Sequence, residues 1–140
     1  MTVDLPRDRR VHTTSVKVRF YELDPYDHVN HTNYFSYFET ARIEFLADMG
    51  YGLDVLKEQG LQMVVVELAA RFHSAARYGQ ELTIHTWIND SGRVKSSWQQ
   101  VMETEGDVVA TLEISAAMTD LSGKPRRIPE AFSEKMRSLA

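Results

Sequence analysis

A short stretch of the chain, residues 23–34, concentrates side chains that can move protons and hold charge. It contains two carboxylates, two imidazoles and two carboxamides, and it lies between a run of alternating apolar residues and a helix-like pattern. Such polar groups are unfavourable in a hydrophobic core. Together with the N-terminus of the helix that follows, they provide a base and hydrogen-bond donors. We therefore expect this stretch to carry the chemistry. The six side chains are Asp24, Asp27, His28, Asn30, His31 and Asn33.

Several of these side chains also have a structural interpretation that the residues alone leave open. Asp24 precedes Pro25, a common turn signal, so a turn-capping role and a catalytic role are equally supported. His28 could share a proton with Asp24 or satisfy a loop carbonyl. Asn33 fits a helix N-cap better than a catalytic position. Asp27 is expected to be an exposed turn residue.

A metal site is the less favoured use of the same residues. The spacing of Asp24, His28 and His31 permits coordination. However, His73 and His85 fall in separate predicted strands, so no second cluster completes a closed site. We expect no bound metal.

The composition limits the class of protein further. A chain of 140 residues with 43% hydrophobic residues is enough for one domain with its own core, and we predict a single domain over residues 1–140. The absence of cysteine excludes thiol nucleophiles, disulfides and Cys-ligated zinc. A net charge of −4 disfavours nucleic-acid binding by bulk electrostatics. The polar N-terminus and the lack of an apolar run of roughly 20 residues predict a cytoplasmic protein with no membrane partner.

The elements that must position residues 23–34 can be predicted from hydrophobic periodicity. Alternation of Val16, Val18 and Phe20 predicts a half-buried strand over residues 15–21, preceded by a flexible, solvated arm at residues 1–14. Apolar residues at helical spacing predict a long helix over residues 33–49, which Gly50 would end.

The rest of the chain is predicted to be mostly extended. A short helical piece at residues 53–59 precedes four strands, and Pro129 opens a C-terminal helix within residues 129–140. Because one helix cannot cover both faces of a five-stranded sheet, a second copy of the chain should cover an open edge, giving a homodimer or homotetramer. The strands are residues 62–73, 81–89, 93–104 and 107–120, with hairpin-like turns at 78–80, 90–92 and 105–107.

This order of elements resembles the hotdog fold, an α+β fold in which a five-stranded antiparallel sheet wraps around one long central helix. Residues 18–24 (VRFYELD) and 33–42 (NYFSYFETAR) are similar to the start of the 4-hydroxybenzoyl-CoA thioesterase family of acyl-CoA thioesterases. Residues 72–82 (FHSAARYGQEL) resemble a later strand–turn–strand signature of that family. The resemblance covers nearly the full chain.

The resemblance implies a role for individual residues. It places the family's catalytic carboxylate on Asp24, and it places the backbone N–H donors for the thioester oxygen near His31 to Asn33 at the start of the helix. A His-Val-Asn run found in related acyl-carrier-protein thioesterases matches residues 28–30. The chain departs from many relatives at Asp27 and His28, where they have glycine and an apolar residue, and at His31, where several have tyrosine.

Thioester hydrolysis makes modest demands on such a site. Thiolate is a good leaving group, so one carboxylate and preorganised N–H donors suffice. Asp24 could act as general base on water or attack directly to form a mixed anhydride, and we favour the general base. Asn30 and Asn33 could position the water or the carbonyl.

The implied substrate is acyl-CoA, with CoA as part of the substrate and no separate cofactor. An acidic protein that binds this polyanion needs local positive charge, for which Arg77, Arg93 and Lys95 are the candidates. Two alternatives remain open. One is a thioesterase acting on acyl-carrier protein, and the other is a non-catalytic module that binds acyl thioesters.

Overall fold

The computed structural model describes residues 3–138, which form an antiparallel sheet packed against one long helix. A single 3-10 turn, Phe20–Glu22, precedes the site loop. The hotdog architecture predicted from the sequence is confirmed. The strands are β1 His12–Lys17, β2 Leu61–Phe72, β3 Glu81–Ser91, β4 Lys95–Thr104 and β5 Asp107–Asp120, and the helices are α1 His31–Asp48, α2 Leu53–Glu58 and α3 Glu130–Arg137.

The sheet has the order β1-β3-β4-β5-β2, with all neighbours antiparallel. The predicted meander is confirmed for β3, β4 and β5, but the hairpin expected at residues 78–80 is wrong because β2 pairs with β5 and not with β3. The connection between β2 and β3 forms backbone hydrogen bonds with residues near the N-terminal end of the chain instead. Ala76 O accepts from Val29 N at 2.8 Å, and Gly79 N donates to Val18 O at 3.2 Å. These hydrogen bonds fix the position of the connection.

The long helix α1 supplies one side of the core. It begins two residues before the predicted start, and it is followed by Gly50 in the left-handed region (φ 85°), as expected for a helix stop. Its buried face packs on the inner face of the sheet, where Phe45 meets Trp98 edge-to-face at 5.9 Å. The buried helix residues are Tyr34, Tyr37, Phe38, Ala41, Phe45 and Leu46, and sheet partners in the same core include Leu82, Ile84, Trp98, Met102 and Ile114.

The first strand and the arm differ from the prediction. The strand runs from His12 to Lys17, so the part of the predicted arm at residues 12–14 is paired with β3. The earlier residues are solvated only in part. Asp4, Arg7 and Asp8 are exposed, whereas Val3, Leu5 and Val11 pack against an apolar cluster on the outer sheet face and so remove apolar surface from water. Residues 1 and 2 lie outside the described residues. The cluster comprises Trp87, Val101 and Val108.

The C-terminal helix packs on the same core as α1. Phe132 is fully buried and stacks on Tyr51 with ring centroids 4.1 Å apart. The helix ends at Arg137, and the last two residues of the predicted range lie outside the described residues. Within residues 3–138, no helix is both long enough and apolar enough to cross a membrane.

Asp120 closes the turn after β5 and gives a pH-dependent contribution to stability. Its Oδ1 accepts from the Ser122 hydroxyl at 2.7 Å and from Lys124 N at 3.0 Å. The hydrogen bonds from the Ser122 hydroxyl and from the Lys124 amide lower the pKa of Asp120 to about 2. Because the folded pKa lies below the ordinary 3.8, this stabilisation is present above about pH 4 and is lost as the pH falls towards 2.

We therefore expect Asp120→Asn to lower the melting temperature at pH 7, since asparagine lacks the charge that these donors stabilise. The difference from the wild-type protein should shrink steadily between pH 4 and pH 2.5. Thermal unfolding followed by circular dichroism measures it. A constant difference across this range would show that the carboxylate charge contributes nothing.

Candidate active site

The loop between the 3-10 turn and α1 is closed at its base by backbone contacts. Leu23 and Val29 form an isolated antiparallel bridge, and Asn30 N donates to Glu22 O at 2.8 Å. Within the loop closed by these contacts, Asp24 N donates to His28 O at 2.7 Å. The loop is therefore a tight turn whose shape is fixed from both ends.

Asp24 has one carboxylate oxygen engaged by the loop and one available. Its Oδ1 accepts from Tyr26 N at 2.8 Å and from His28 N at 3.2 Å. Its Oδ2 has no hydrogen-bond partner among residues 3–138. The turn-capping and catalytic interpretations are thus compatible, because each can use a different oxygen. Asp27 lies exposed at the loop tip with a φ of 63°.

Asp24 borders an open cleft of about 440 Å³ between the loop, the start of α1 and the end of β2. The cleft brings Asp24, His28 and His31 together, as the sequence predicted. It also includes residues that the sequence did not assign to a site, since they follow β2 some forty positions later in the chain. The lining residues are Asp24, His28, Val29, His31, Tyr34, Phe72, His73, Ser74 and Ala75.

The first turn of α1 offers one free amide at this cleft. Asn30, and not Asn33, is the N-cap, because Asn30 Oδ1 accepts from Thr32 N at 3.0 Å. Asn33 N donates to Asn30 O at 2.8 Å. The His31 N–H has no hydrogen-bond partner in the described part of the chain. Of the amides expected near His31 to Asn33, the one at His31 is available to a ligand, and it benefits from the positive end of the helix dipole.

The Asn33 side chain has a positioning contact. Its Nδ2 donates to Glu22 O at 2.9 Å, so it ties the helix back to the 3-10 turn. The predicted N-cap role for Asn33 is wrong because Asn30 occupies the extended position (φ −58°, ψ 132°) that precedes the helix.

Tyr34 joins the two walls of the cleft. Its hydroxyl accepts from Ala76 N at 3.0 Å, and Ala76 O accepts from Val29 N at 2.8 Å. Burial raises the pKa of Tyr34, so the phenol stays neutral. Tyr34 falls within the predicted helix of residues 33–49, and nothing in the periodicity indicated that its hydroxyl would bond to the opposite wall.

Glu22 is a buried carboxylate directly before the site loop, and it was not among the site residues predicted from the sequence. Its side chain accepts from Arg19 N at 2.8 Å and from the Tyr37 hydroxyl at 2.8 Å, with the Arg19 guanidinium at 3.2 Å. Burial, followed by the hydrogen bond to Glu22, raises the pKa of Tyr37. The alternation of β1 gives no signal for it, because the strand ends at Lys17 and Glu22 lies in the 3-10 turn.

The three basic candidates for the CoA phosphates are not brought together. The backbone of Arg77 lies beside the cleft because it forms an isolated bridge with His28, but Arg77 is not one of the lining residues. Lys95 pairs with Ala117, whereas Phe72 at the cleft pairs with Ala110, seven residues away along β5. That separation is roughly 24 Å along the strand. Arg93 and Lys95 therefore lie away from the cleft of their own chain, because the β3–β4 turn is at the opposite end of the sheet.

Two of the other histidines, His12 and His85, pair with a carboxylate outside the cleft. His85 contacts Glu103 through Nε2 at 2.9 Å and Thr13 through Nδ1 at 2.9 Å. Over residues 3–138, no three His, Asp or Glu side chains are grouped closely enough to hold a metal ion.

Comparison with known proteins adds an independent finding. Residues 18–136 match the family model described as the thioesterase-like superfamily. A putative esterase of Synechocystis is 33% identical over 129 residues, which cover 89% of this chain and 77% of the relative. The long-chain acyl-CoA thioesterase FadM of Escherichia coli is 31% identical over 110 residues, covering 77% and 83%. The crystal structure of a probable thioesterase from Bartonella henselae superimposes with a TM-score of 0.81 at 28% identity, covering 85% and 99%.

Proposed function

The chain belongs to the thioesterase-like superfamily, and we propose that it is an acyl-CoA thioesterase in which Asp24 is the catalytic carboxylate. Several of its relatives are named thioesterases. One observation carries the assignment to this cleft. Asp24 and His31 line the same open cleft, and each has one polar group, a carboxylate oxygen and a backbone amide, without a protein partner among residues 3–138.

The two groups divide the reaction between them. The thioester carbonyl oxygen accepts from the His31 N–H, so the negative charge that develops on it is stabilised by a fixed donor at a helix N-terminus. Asp24 Oδ2 takes a proton from water, and the resulting hydroxide adds to the carbonyl carbon. Collapse of the tetrahedral intermediate breaks the C–S bond. The proton on Asp24 then passes to the departing CoA thiolate, which restores the carboxylate.

The remaining predicted residues support this pair. The His28 amide holds Asp24 Oδ1 at 3.2 Å, which leaves Oδ2 to act as the base, and the His28 imidazole borders the cleft. Asn30 caps α1, and Asn33 holds the helix to the 3-10 turn. Direct attack by Asp24 to form a mixed anhydride remains the alternative route.

We propose that a second copy of the chain pairs along β2. This strand is an edge of the sheet and exposes an apolar run, with Val66 at 52%, Leu68 at 47% and Phe72 at 48% exposure. A long apolar edge strand is a template for pairing with another chain. Antiparallel pairing about a two-fold axis near Val66 places the Phe72 end of one β2 beside the Leu61 end of the other.

This pairing gives the acyl group a place to bind. Between α1, α2 and β2 lies a cavity of about 510 Å³ whose lining is mostly apolar and includes Leu46, Leu56, Met63 and Val65. In the proposed dimer, the cavity of one copy adjoins the Asp24 cleft of the other. An aliphatic chain can then leave the thioester in one copy and enter apolar surroundings in its partner.

Release of thiol from acyl-CoA tests the proposed function. The purified protein should release CoA from a panel of saturated, unsaturated and aromatic acyl-CoA substrates, detected with a disulfide dye. A preference for acyl-carrier-protein thioesters would support the carrier-protein alternative. Saturable binding of acyl-CoA without thiol release would identify a binding module and refute the proposed activity.

The dimer is tested by placing charge on the edge strand. Val66→Lys should shift the protein from dimer to monomer in size-exclusion chromatography with light scattering, because a buried unpaired ammonium opposes pairing. Tyr78→Lys is the matched control, since Tyr78 is also exposed, at 65%, but lies in a turn away from β2. Equal masses for the wild-type protein and Val66→Lys would contradict this interface.

A further inference from the structure

We infer that Glu22 is a positioning residue that fixes the Asp24 carboxylate relative to the His31 amide. This inference rests on the proposed function, because it concerns the geometry of the same site. Glu22 lies two residues before Asp24 and is 8% exposed. It contacts both segments that carry the reacting groups, although its own carboxylate does not border the cleft.

The side chain of Glu22 anchors the loop to α1. Its Oε1 accepts from the hydroxyl of Tyr37 at 2.8 Å, and Tyr37 lies on the second turn of the helix. The same oxygen accepts from Arg19 N at 2.8 Å, while Oε2 pairs with the Arg19 guanidinium at 3.2 Å. The carboxylate thus joins the turn that precedes the loop to the helix that follows it.

The main chain of Glu22 closes the loop that its side chain anchors. Its carbonyl oxygen accepts from Asn30 N at 2.8 Å and from Asn33 Nδ2 at 2.9 Å. Asn30 is the residue that caps α1 and immediately precedes the free amide of His31. A rotation of residue 22 would therefore move the Asp24 side of the cleft and the His31 side relative to each other.

The stability of the fold gives no sufficient reason for a charge at this position. A buried ion pair adds little stability over a well-packed apolar residue, because both charges lose hydration. The guanidinium of Arg19 is 53% exposed at its side chain, so it compensates the buried carboxylate only in part. A carboxylate can, however, accept several directional hydrogen bonds at once, which an apolar side chain cannot. The arrangement is suited to fixing an orientation.

Orientation matters because catalysis depends steeply on distance. A displacement of about 1 Å between reacting groups can lower the rate by about 100-fold. Asp24 lies in a loop and His31 is the first residue of a helix, so the distance between them depends on the contacts that join the loop to the helix. Rigid support from Glu22 and Tyr37 is what makes their separation reproducible.

The test replaces Glu22 with an isosteric neutral residue. Glu22→Gln keeps the volume but turns one acceptor into an NH2 group, which must face a donor from Arg19 or Tyr37. We expect kcat for acyl-CoA hydrolysis to fall by about 10- to 100-fold while KM changes less than about twofold. The Kd for an acyl-CoA thioether, which has no carbonyl oxygen, should remain unchanged. A proportional loss of affinity for the thioether would overturn the inference.

Glu103→Gln is the matched control for this change. Glu103 also pairs with a cation-forming side chain, His85, and its side chain is 24% exposed against 10% for Glu22. It lies on the sheet face away from α1, because its strand neighbour Met102 belongs to the core packed on the helix. We expect the control to keep the kcat of the wild-type protein. A comparable loss in both variants would show a general effect of removing a buried carboxylate.

A second variant tests the contact through which Glu22 acts. Tyr37→Phe removes the hydroxyl bonded to Glu22 and should lower kcat in the same direction. Because both changes break one contact, the double variant should lose far less than the product of the two single losses. Independent, multiplicative losses would overturn the proposed coupling.

Hydrogen exchange separates failure of this inference from failure of the proposed function. In Glu22→Gln, the hydrogen-bonded amides of Val29, Asn30 and Asn33 should exchange faster than in the wild-type protein, while those of β4 stay unchanged. This readout does not require turnover. If the wild-type protein releases no thiol but these amides still respond, the proposed function fails and the positioning contact stands. Unchanged exchange together with unchanged kcat would remove Glu22 from the site.

Discussion

Replacing Asp24 with asparagine is expected to lower kcat for acyl-CoA hydrolysis at least about 100-fold while leaving the fold intact. The amide oxygen of asparagine can still accept from Tyr26 N and His28 N, the two bonds that shape the loop. What is lost is the second, unpartnered carboxylate oxygen. The experiment therefore removes the proposed base and keeps the hydrogen bonds that shape the turn.

The loop provides its own control for this experiment. Asp27 is the other carboxylate of the loop and lies exposed at the tip, with a φ of 63° that asparagine tolerates well. Asp27→Asn should retain kcat within about twofold, because simple loss of a surface charge has little effect on the reaction. Turnover by Asp24→Asn equal to that of Asp27→Asn would refute the catalytic role of Asp24. Both variants should show the thermal unfolding of the wild-type protein.

The parts of the fold that could be predicted are those encoded by local pattern. The helix was evident because apolar residues recur at helical spacing up to Gly50, and the meander because short turn signals separate β3, β4 and β5. The position of β2 could not be read in the same way. Alternation marks a strand but does not name its neighbours, and the pairing of β2 with β5 joins residues about fifty positions apart.

Strand β1 shows a second limit of pattern. The alternation of Val16 and Val18 continues to Phe20, yet the strand ends at Lys17 and Phe20 is 73% exposed in the 3-10 turn. The turn begins there because residues 19 and 22 close on each other, with Glu22 N donating to Arg19 O at 3.0 Å. Side-chain parity alone does not report such a change of backbone direction.

The candidate site shows the same difference between residues that are close in sequence and residues that the tertiary fold brings together. Asp24, His28 and His31 were predicted to lie in one site because they are close in sequence, and they border one cleft. Phe72 and Ser74 form the opposite wall only because β2 ends there, which depends on the tertiary fold. Arg77 lies near the site for the same reason, whereas Lys95 does not. Sequence proximity therefore predicted which loop residues share the cleft, whereas the opposite wall could not be predicted without the tertiary fold.

The amide of His31 can be removed with a substitution that helices accept. His31 is the first residue of α1, a position at which proline is favoured because its missing N–H has no intrahelical partner. Asn30, at φ −58° and ψ 132°, already has the extended conformation that a residue before proline requires. His31→Pro should thus delete the proposed oxyanion donor and keep the helix.

His31→Ala is the necessary reference, because it removes the imidazole and keeps the amide. Relative to His31→Ala, we expect His31→Pro to lower kcat by about 100- to 1000-fold, the range found when one oxyanion donor is lost. Circular dichroism and thermal unfolding should be alike in the two variants. Since the donor acts on charge that develops during the reaction, KM should change far less than kcat. If both variants keep a kcat near that of the wild-type protein, the oxyanion is bound elsewhere. An equally severe loss in both variants would assign the effect to the imidazole.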